Sequence, residues 1–382
     1  MKSAFHPTMK APDDPVPSGD REMARRLCEA LRLAQHEVEV VSGLRSYFKT
    51  PDAGRLAHLR EAASAEAARL IAANGERTSA SASVAASLAD AEVRSPFDIW
   101  FTYHVYHKSP DLLGPAVART LGIPYVIAEA TWAGKRSRDA WAPWQREAEA
   151  AFRSADAIFA MTAQDRAGLA DMPGLATPIV DLPPFLDIAA FPPAKPRTAT
   201  GPAHLIAIAM MRQDAKLASY RFLAQSLRLL AAPDWTLTIA GDGPARADVE
   251  AAFAGFAPGR ITFAGQIDRA AVIAEFAKAD LFVWPGLSEA YGMVYLEAQA
   301  AGVPVVALDS GGVSSTFAPG RTGLLVASQT PASYAAAIAE LLRDHERRLA
   351  MGRAARHLIE TRHSLAGAAA ILGDALARIR KS

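Results

Sequence analysis

The chain of 382 residues contains one cysteine, Cys28. A single thiol cannot close an intramolecular disulfide, so no covalent staple organises the fold, and a reducing compartment is the natural setting. A charge surplus is also missing. Lysine and arginine total 41 against 40 acids, where a nucleic-acid binder usually carries a basic excess on one face. No run of about twenty apolar residues exists to span a bilayer. The opening segment, "MKSAFHPTMKAPDDPVPSGDR", is broken by Pro7, Asp13 and Asp14 and has no apolar core of a signal peptide. A cytoplasmic protein without a nucleic-acid partner is expected, with peripheral contact at the inner membrane face left open. Metal-ligand clusters are absent too. His104 and His107 in "HVYH" stand at a helical spacing, but no further ligands accompany them, which argues against zinc. What is present is an ordinary globular mixture, half apolar and a fifth charged. The length exceeds one typical core, so two domains are expected.

Along the chain, short apolar strands alternate with helical stretches. The first half offers strands at 36–42, 97–103, 124–130, 157–162 and 177–183. Helices are expected at Arg21–Gln35, Leu112–Leu121 and about Trp141–Arg153. Residues 53–91 are alanine-rich and read as one or two surface helices, with a break at Asn74-Gly75. Only "SAF" precedes His6-Pro7, a poor first strand. The stretch "LPPFLDIAAFPPAKPRTATGP" is proline-rich and aperiodic, a stiff connection. Alternation then restarts with strands at 204–210, 235–241, 261–265, 280–285, 303–309 and 323–326, and ends in a helical tail with weak breaks near Gly352 and His363-Ser364. The expected organisation is a domain at 1–184, a linker at 185–203, a second domain at 204–364, and a C-terminal helix at 365–382 that packs back on the first domain. Strand–helix alternation predicts an α/β fold of two Rossmann-like domains whose parallel sheets face across a cleft. In such sheets ligands bind beyond the carboxyl ends of the strands.

The chemistry concentrates in "LSEAYGMVYLEAQAAG", residues 287–302. A strand ends before it and a helix is expected to start near Gly292. The amides of Gly292, Met293 and Val294 would lack intrahelical partners and form an anion site. Glu297, a turn further on, can accept hydrogen bonds from vicinal hydroxyls, and Glu289 can do so for a sugar. One such acid alone reads better as a cap or a solvated surface group; the composite at a strand end favours a ligand.

"SEAYGMVYLEAQAAGVPVVALDSGG" resembles the E-x7-E segment of the retaining GT-B glycosyltransferases of the family-4 type. "TIAGDGPAR" is similar to their glycine turn, "ITFAGQI" to the strand before the base pocket, and "DLPPFLDIAAF" to their linker. The resemblance is strong over roughly 180–330 and weaker through the first half. It implies that Glu297 binds the donor ribose, Glu289 the transferred sugar, and Gly292, Met293 and Val294 the diphosphate. It places Arg212 and Lys216 on the leaving group, with Arg221 as a substitute for Lys216, because departing diphosphate needs positive charge aimed at it. The spacing here is R-x3-K, shorter than usual, and Leu217 stands where a glycine is customary. Gly241 in the "GDGP" turn would lie near the donor, or serve only a tight strand-to-helix connection. Gln266 and Ile267 would meet the base through backbone groups. Gly19, before the first helix, would face donor phosphate and acceptor, or simply adjoin an N-cap by Ser18 or Asp20.

In the first domain, many relatives carry a histidine after the strand matching "PYVIAEA"; here Glu129, Ala130 and Thr131 occupy that place. Glu129 would polarise the acceptor hydroxyl or hydrogen-bond the sugar, or else pair structurally with Lys135 or Arg136. Tyr103, His104 and His107 are further acceptor-side candidates, although a lone histidine is more often structural. The resemblance thus implies a glycosyltransferase using a UDP- or GDP-type sugar donor with retention of anomeric configuration. It needs no metal and no cofactor, in keeping with the absence of any D-x-D. The acceptor would be a glycan, a lipid-linked molecule or a small molecule. A nucleotide-sugar epimerase and a non-catalytic nucleotide-sugar sensor are the alternatives.

Overall fold

The computed structural model describes residues 1–16, 18–82, 95–192, 201–232 and 234–379, with the backbone alone for 75–82. Two compact units are present. One comprises Met1–Pro183 with Ala366–Ser382, the other Pro184–Leu365.

The first unit is built on β1 (Lys2–Pro7), β2 (Glu37–Val40), β3 (Ile99–Tyr106), β4 (Tyr125–Thr131), β5 (Ala157–Ala160) and β6 (Ile179–Asp181). They form one parallel sheet in the order β2-β1-β3-β4-β5-β6. The crossovers carry α1 (Gly19–Leu33), α2 (Ala53–Ala82), α3 (Gly114–Leu121), α4 (Ala142–Ser154) and α5 (Ala163–Ala170). Strands β3, β4 and β5 are nearly continuous apolar runs, as a sheet covered on both faces requires.

Two sequence expectations change here. The poor first strand is a full one, paired with β2 over Lys2–Phe5 and with β3 over Ser3–Pro7. Its polar residues hid it: Ser3 is buried but bonded to the His36 ring at 2.8 Å. Residues 53–82 make one helix that runs through Asn74-Gly75 without a break. Ala63, Ala67 and Leu70, spaced three and four apart, bury one face in the core of the unit. That burial outweighs the roughly 1 kcal/mol a helical glycine costs. Residues 83–91 of that stretch lie outside the described residues, as do residues 193–200 of the connection.

The second unit holds β7 (Ala203–Ile208), β8 (Trp235–Ala240), β9 (Ile261–Gly265), β10 (Leu281–Val283), β11 (Val305–Leu308) and β12 (Gly323–Val326). This sheet is also parallel, in the order β12-β11-β10-β7-β8-β9. Its helices are α6 (Ala215–Arg228), α7 (Arg246–Ala252), α8 (Arg269–Lys278), α9 (Met293–Ala300), α10 (Pro331–Arg343) and α11 (His345–Arg362). The tail breaks at Asp344 rather than at Gly352. Asp344 caps α11 by accepting from the Arg347 amide at 2.9 Å, while Gly352 lies buried inside that helix. The break at His363-Ser364 is present, and α12 (Leu365–Ile379) follows it. There the chain is stitched to its earlier passage. Leu186 donates to the His363 carbonyl, Leu365 to the Leu186 carbonyl, both at 2.9 Å, and His363 Nδ1 lies 2.7 Å from the Pro184 carbonyl. Among the described residues no helix is long and apolar enough to cross a membrane.

Candidate functional site

In the second unit, β10 delivers a loop, residues 284–292, to the start of α9. Gly292 is the N-cap, in left-handed backbone with φ 77° and no side chain to cap the first turn. A Cβ there would come within 2.7 Å of the Tyr295 ring, so any other residue meets both strain and collision. Tyr295 in turn holds the loop from below by donating to the Trp284 carbonyl at 3.1 Å. Ser219 accepts from the Leu287 amide at 3.0 Å and Ser310 from the Ser288 amide at 3.1 Å. The helix terminus at Met293 and Val294 is therefore held rigidly and left free of a side-chain cap. Such a terminus suits an anion.

Beside it stands a charged pair. Asp214 caps α6, accepting from the Lys216 amide at 2.8 Å. That fixes Lys216 in the first turn, and its Nζ donates to Glu289 Oε1. The same oxygen accepts from Trp284 Nε1 at 3.1 Å. Lys216 Nζ also lies 5.6 Å from the Trp284 ring. A cation from α6 and a carboxylate and an indole from the loop after β10 thus share one point. Both charged side chains are largely but not fully covered, at 21% and 14% exposure, so a ligand can still reach them.

The remaining second-unit candidates divide. Glu297 is half-buried on α9, about 7 Å along the axis from Gly292 at 1.5 Å per residue. Arg212 is exposed, its guanidinium resting on Met210 Sδ at 3.3 Å. Arg221 turns instead to Asp248 at 3.3 Å. The "GDGP" turn packs against the backbone of 209–211. A Cβ on Gly241 would lie 1.9 Å from the Ala209 carbonyl oxygen, so this glycine is needed for chain-to-chain contact. Gln266 is exposed and Ile267 half-buried just past β9.

The first unit assembles a cluster of its own. His104 and Glu129 face each other on β3 and β4, between the registered pairs Tyr103–Ala128 and Val105–Ala130. Both adopt left-handed backbone, φ 67° and 60°. That costs on the order of 1–3 kcal/mol per residue, and such outliers concentrate at functional sites. His104 Nε2 lies 3.5 Å from Glu129 Oε1, and Nδ1 lies 2.6 Å from Asp20 Oδ1. Tyr103, buried in the core, lies beside Glu129 and favours its carboxylate form. Asp165 closes the group, accepting from Thr131 and Thr162 hydroxyls at 2.6 Å each. His104 sits on a strand, not a helix, and His107 lies in the turn beyond it, so the helical spacing of "HVYH" does not apply. Glu129 is directed at His104, while Arg136 is engaged by Asp139 at 2.7 Å. Gly19 opens α1, with Ser18 as N-cap accepting from the Arg21 amide at 3.2 Å. Asp20, next in the chain, reads from the sequence as no more than an alternative N-cap; the structure gives the cap to Ser18 and turns Asp20 to His104. An acid in the first turn of a helix reads as dipole compensation.

Burial alone would lower the His104 pKa, but the Glu129 and Asp20 carboxylates outweigh it and raise it to about 9. Burial pushes Glu129 upward despite the opposing pull of His104. His104 is therefore an imidazolium at neutral pH. A raised folded-state pKa gives stability that is fully present below about 6.5, the free histidine value, and lost as pH rises through about 9. Imidazole NMR should show His104 titrating near 9, and falling far below that in Asp20→Asn/Glu129→Gln, where burial is left to dominate. An unperturbed midpoint in the unaltered protein would contradict this charge arrangement. Among the described residues no group of three His, Cys, Asp or Glu could hold a metal.

Residues 203–344 match the family profile of glycosyl transferases group 1, and residues 18–184 match that of the glycosyl transferase 4-like domain. The chain belongs to the group 1 glycosyltransferases. A D-inositol 3-phosphate glycosyltransferase of Paenarthrobacter aurescens is 48% identical over 80 residues, 21% of this chain and 20% of that protein. A GDP-mannose-dependent alpha-(1-6)-phosphatidylinositol monomannoside mannosyltransferase of Mycobacterium tuberculosis is 40% identical over 123 residues, 30% of this chain and 32% of that one. The matched segments thus span only a fifth to a third of these relatives. Among solved structures, Anabaena Alr3699/HepE in complex with UDP superposes with a TM-score of 0.71 at 15% identity, covering 99% of this chain and 100% of that one. At that identity the likeness establishes the fold, and the fold of this group 1 glycosyltransferase is GT-B: two α/β units, each on a six-stranded parallel sheet.

Proposed function

We propose that this group 1 glycosyltransferase moves a sugar from a nucleoside diphosphate to an acceptor hydroxyl, with retention of anomeric configuration and without a metal. The Lys216–Glu289 pair beside the uncapped start of α9 is the observation that carries the reading. The amides at Met293 and Val294 and the Lys216 ammonium take the charge that accumulates on the leaving diphosphate. Arg212, free to swing on its exposed loop, adds a second cation. Glu289 holds hydroxyls of the transferred sugar, and Glu297 holds the ribose. Gln266 and Ile267 meet the base through their backbone.

The donor is of UDP or GDP type. The Anabaena protein is a UDP complex, and the mycobacterial relative is named for GDP-mannose. Retention follows from attack on the face the diphosphate leaves, with the leaving phosphate drawing the acceptor proton. On the acceptor side, the imidazolium of His104, clamped by Asp20, stands with Glu129 in the place of the histidine many relatives carry. Glu129 accepts a hydrogen bond from the acceptor hydroxyl.

Incubation with UDP- and GDP-sugars tests the reading. A transferase releases nucleoside diphosphate only when acceptor is present, and continues to do so in a chelator. An isomeric nucleotide sugar would identify an epimerase, and binding without turnover a sensor. Glu297→Ala should weaken nucleoside diphosphate affinity by roughly 1–3 kcal/mol, the value of hydrogen bonds to a charged group. Unchanged affinity in calorimetry would remove Glu297 from the ribose.

A further inference from the structure

The first unit holds a second set of groups that the cluster at His104 does not use. His107, in the turn after β3, is only 9% exposed, and its Nε2 has no hydrogen-bond partner among the described residues. Its ring packs edge-on against Tyr106 at 5.3 Å and Trp141 at 5.1 Å. Lys108 Nζ stands 5.7 Å over the Trp141 ring. After β4, a short 3-10 turn, Gly134–Ser137, supplies Lys135 and Arg136. One arm of Arg136 is taken by Asp139 at 2.7 Å, but its Nε is buried without a partner. Two desolvated nitrogens therefore lie without acceptors beside three cations and one carboxylate. Buried polar groups are nearly always satisfied, and exceptions call for an explanation such as a ligand.

We infer that His107, Lys108, Lys135 and Arg136 form a subsite for a phosphate group carried by the acceptor. The proposal deepens the transferase reading above and rests on it. The three cations act together on one ring. Burial, then Arg136, Lys108 and Lys135, hold His107 down to about 4, with Asp139 opposing them. An arriving phosphate would reverse that balance, accept from Nε2, and take the free Nε edge of Arg136, whose planar fork suits phosphate oxygens. The indole of Trp141 offers an apolar wall for the carbon skeleton bearing the phosphate. The subsite also has a direct relation to the His104 cluster. Tyr106 stacks on His104 at 5.0 Å and meets His107 edge-on at 5.3 Å, so one aromatic ring separates the two. A molecule that places a hydroxyl at Glu129 can set its phosphate at His107. Cations merely solvated over a hydrophobic cluster would account for Lys108, but not for the unpaired His107 Nε2 and Arg136 Nε.

The test follows the His107 imidazole by NMR in the full chain, with inorganic phosphate, glycerol phosphate, and vesicles of phosphatidylcholine with or without phosphatidylglycerol as probes. Saturable shifts of the His107 resonances and a rise in its pKa are expected with glycerol phosphate. The apparent affinity should fall at least tenfold in Arg136→Ala, with circular dichroism confirming the fold. A response to phosphatidylglycerol vesicles but not to glycerol phosphate would support the subsite and assign the phosphate to a lipid headgroup. No His107 response to any probe, or equal affinity in Arg136→Ala, would overturn it. If the His107 response is present but donor turnover never depends on an acceptor, the transferase reading fails and the anion site stands. If turnover is intact and His107 is silent, the subsite alone fails.

Discussion

Replacing Lys216 by alanine is expected to slow sugar transfer about a hundred- to a thousand-fold, the usual cost of removing one group that stabilises developing transition-state charge. The ammonium is positioned by the first turn of α6 and by Trp284, not by the substrate, so it needs no reorganisation as the diphosphate departs. The same substitution leaves Glu289 with its Trp284 bond but without its counter-charge. Lys216→Arg should recover part of the rate, since charge returns with a different reach. Glu289→Ala should also damage transfer while sparing nucleoside diphosphate affinity, because its assigned ligand is the sugar. Initial rates at saturating donor, with thermal melts to check folding, decide the matter. A Lys216→Ala enzyme within threefold of normal would remove the cation from the leaving group.

The largest effect on stability is expected at Asp111, which touches no proposed ligand. Its carboxylate is almost wholly buried. One oxygen accepts from Thr102 Oγ1 at 2.6 Å and Tyr125 OH at 2.8 Å, the other from the amides of Leu113 and Gly114 at 2.8 and 2.9 Å. Trp100 Nε1 extends the network by donating to Thr102 at 2.9 Å. Asp111→Ala would strand several buried donors at once, each costing about 1–3 kcal/mol and not fully additive. A loss of about 3–5 kcal/mol in urea unfolding is expected, comparable to breaking a buried charge network. Asp111→Asn keeps the shape and part of the accepting capacity, and should lose less. A loss below 1 kcal/mol for the alanine variant would mean the network relaxes freely. The site should feel the change as well, since Thr102 stands two residues before His104 on β3.

The second unit was far more legible in the sequence than the first, and the reason lies in separation along the chain. Gly292, Glu289 and Trp284 are within nine residues, so a strand end and a helix start could be read from local pattern. Even Lys216, at an unusual spacing, could be placed at the carboxyl end of its strand. The bond between Lys216 and Glu289 itself spans 73 positions and only the fold reveals it. In the first unit the decisive contacts are all of that kind. Asp20 and His104 are 84 apart, and Ser3 and His36 are 33 apart. The paired left-handed residues at His104 and Glu129 leave little trace in the sequence, because neither is a glycine and both stand inside apolar strand patterns. The parallel alternation that predicted both sheets survives because it depends only on local periodicity. The break proposed at Asn74-Gly75 failed because the buried alanine face of α2 is a tertiary effect.

The path of the chain has a consequence for how the protein is made. The first unit contains the N-terminal residues and also α12, whose Ala368, Leu372 and Leu376 are buried. Gly373 approaches Ala34 at the end of α1 closely enough that a Cβ would contact it at 3.5 Å. The stitch that returns the chain joins His363 to Pro184 across 179 positions. On the ribosome, therefore, the first unit cannot be completed until α12, which follows the whole of the second unit, has been synthesised. The intervening half, continuous in sequence, can close earlier. Nascent chains should carry an unfinished first-unit core throughout synthesis of the second unit, a state whose exposed apolar surface invites chaperones.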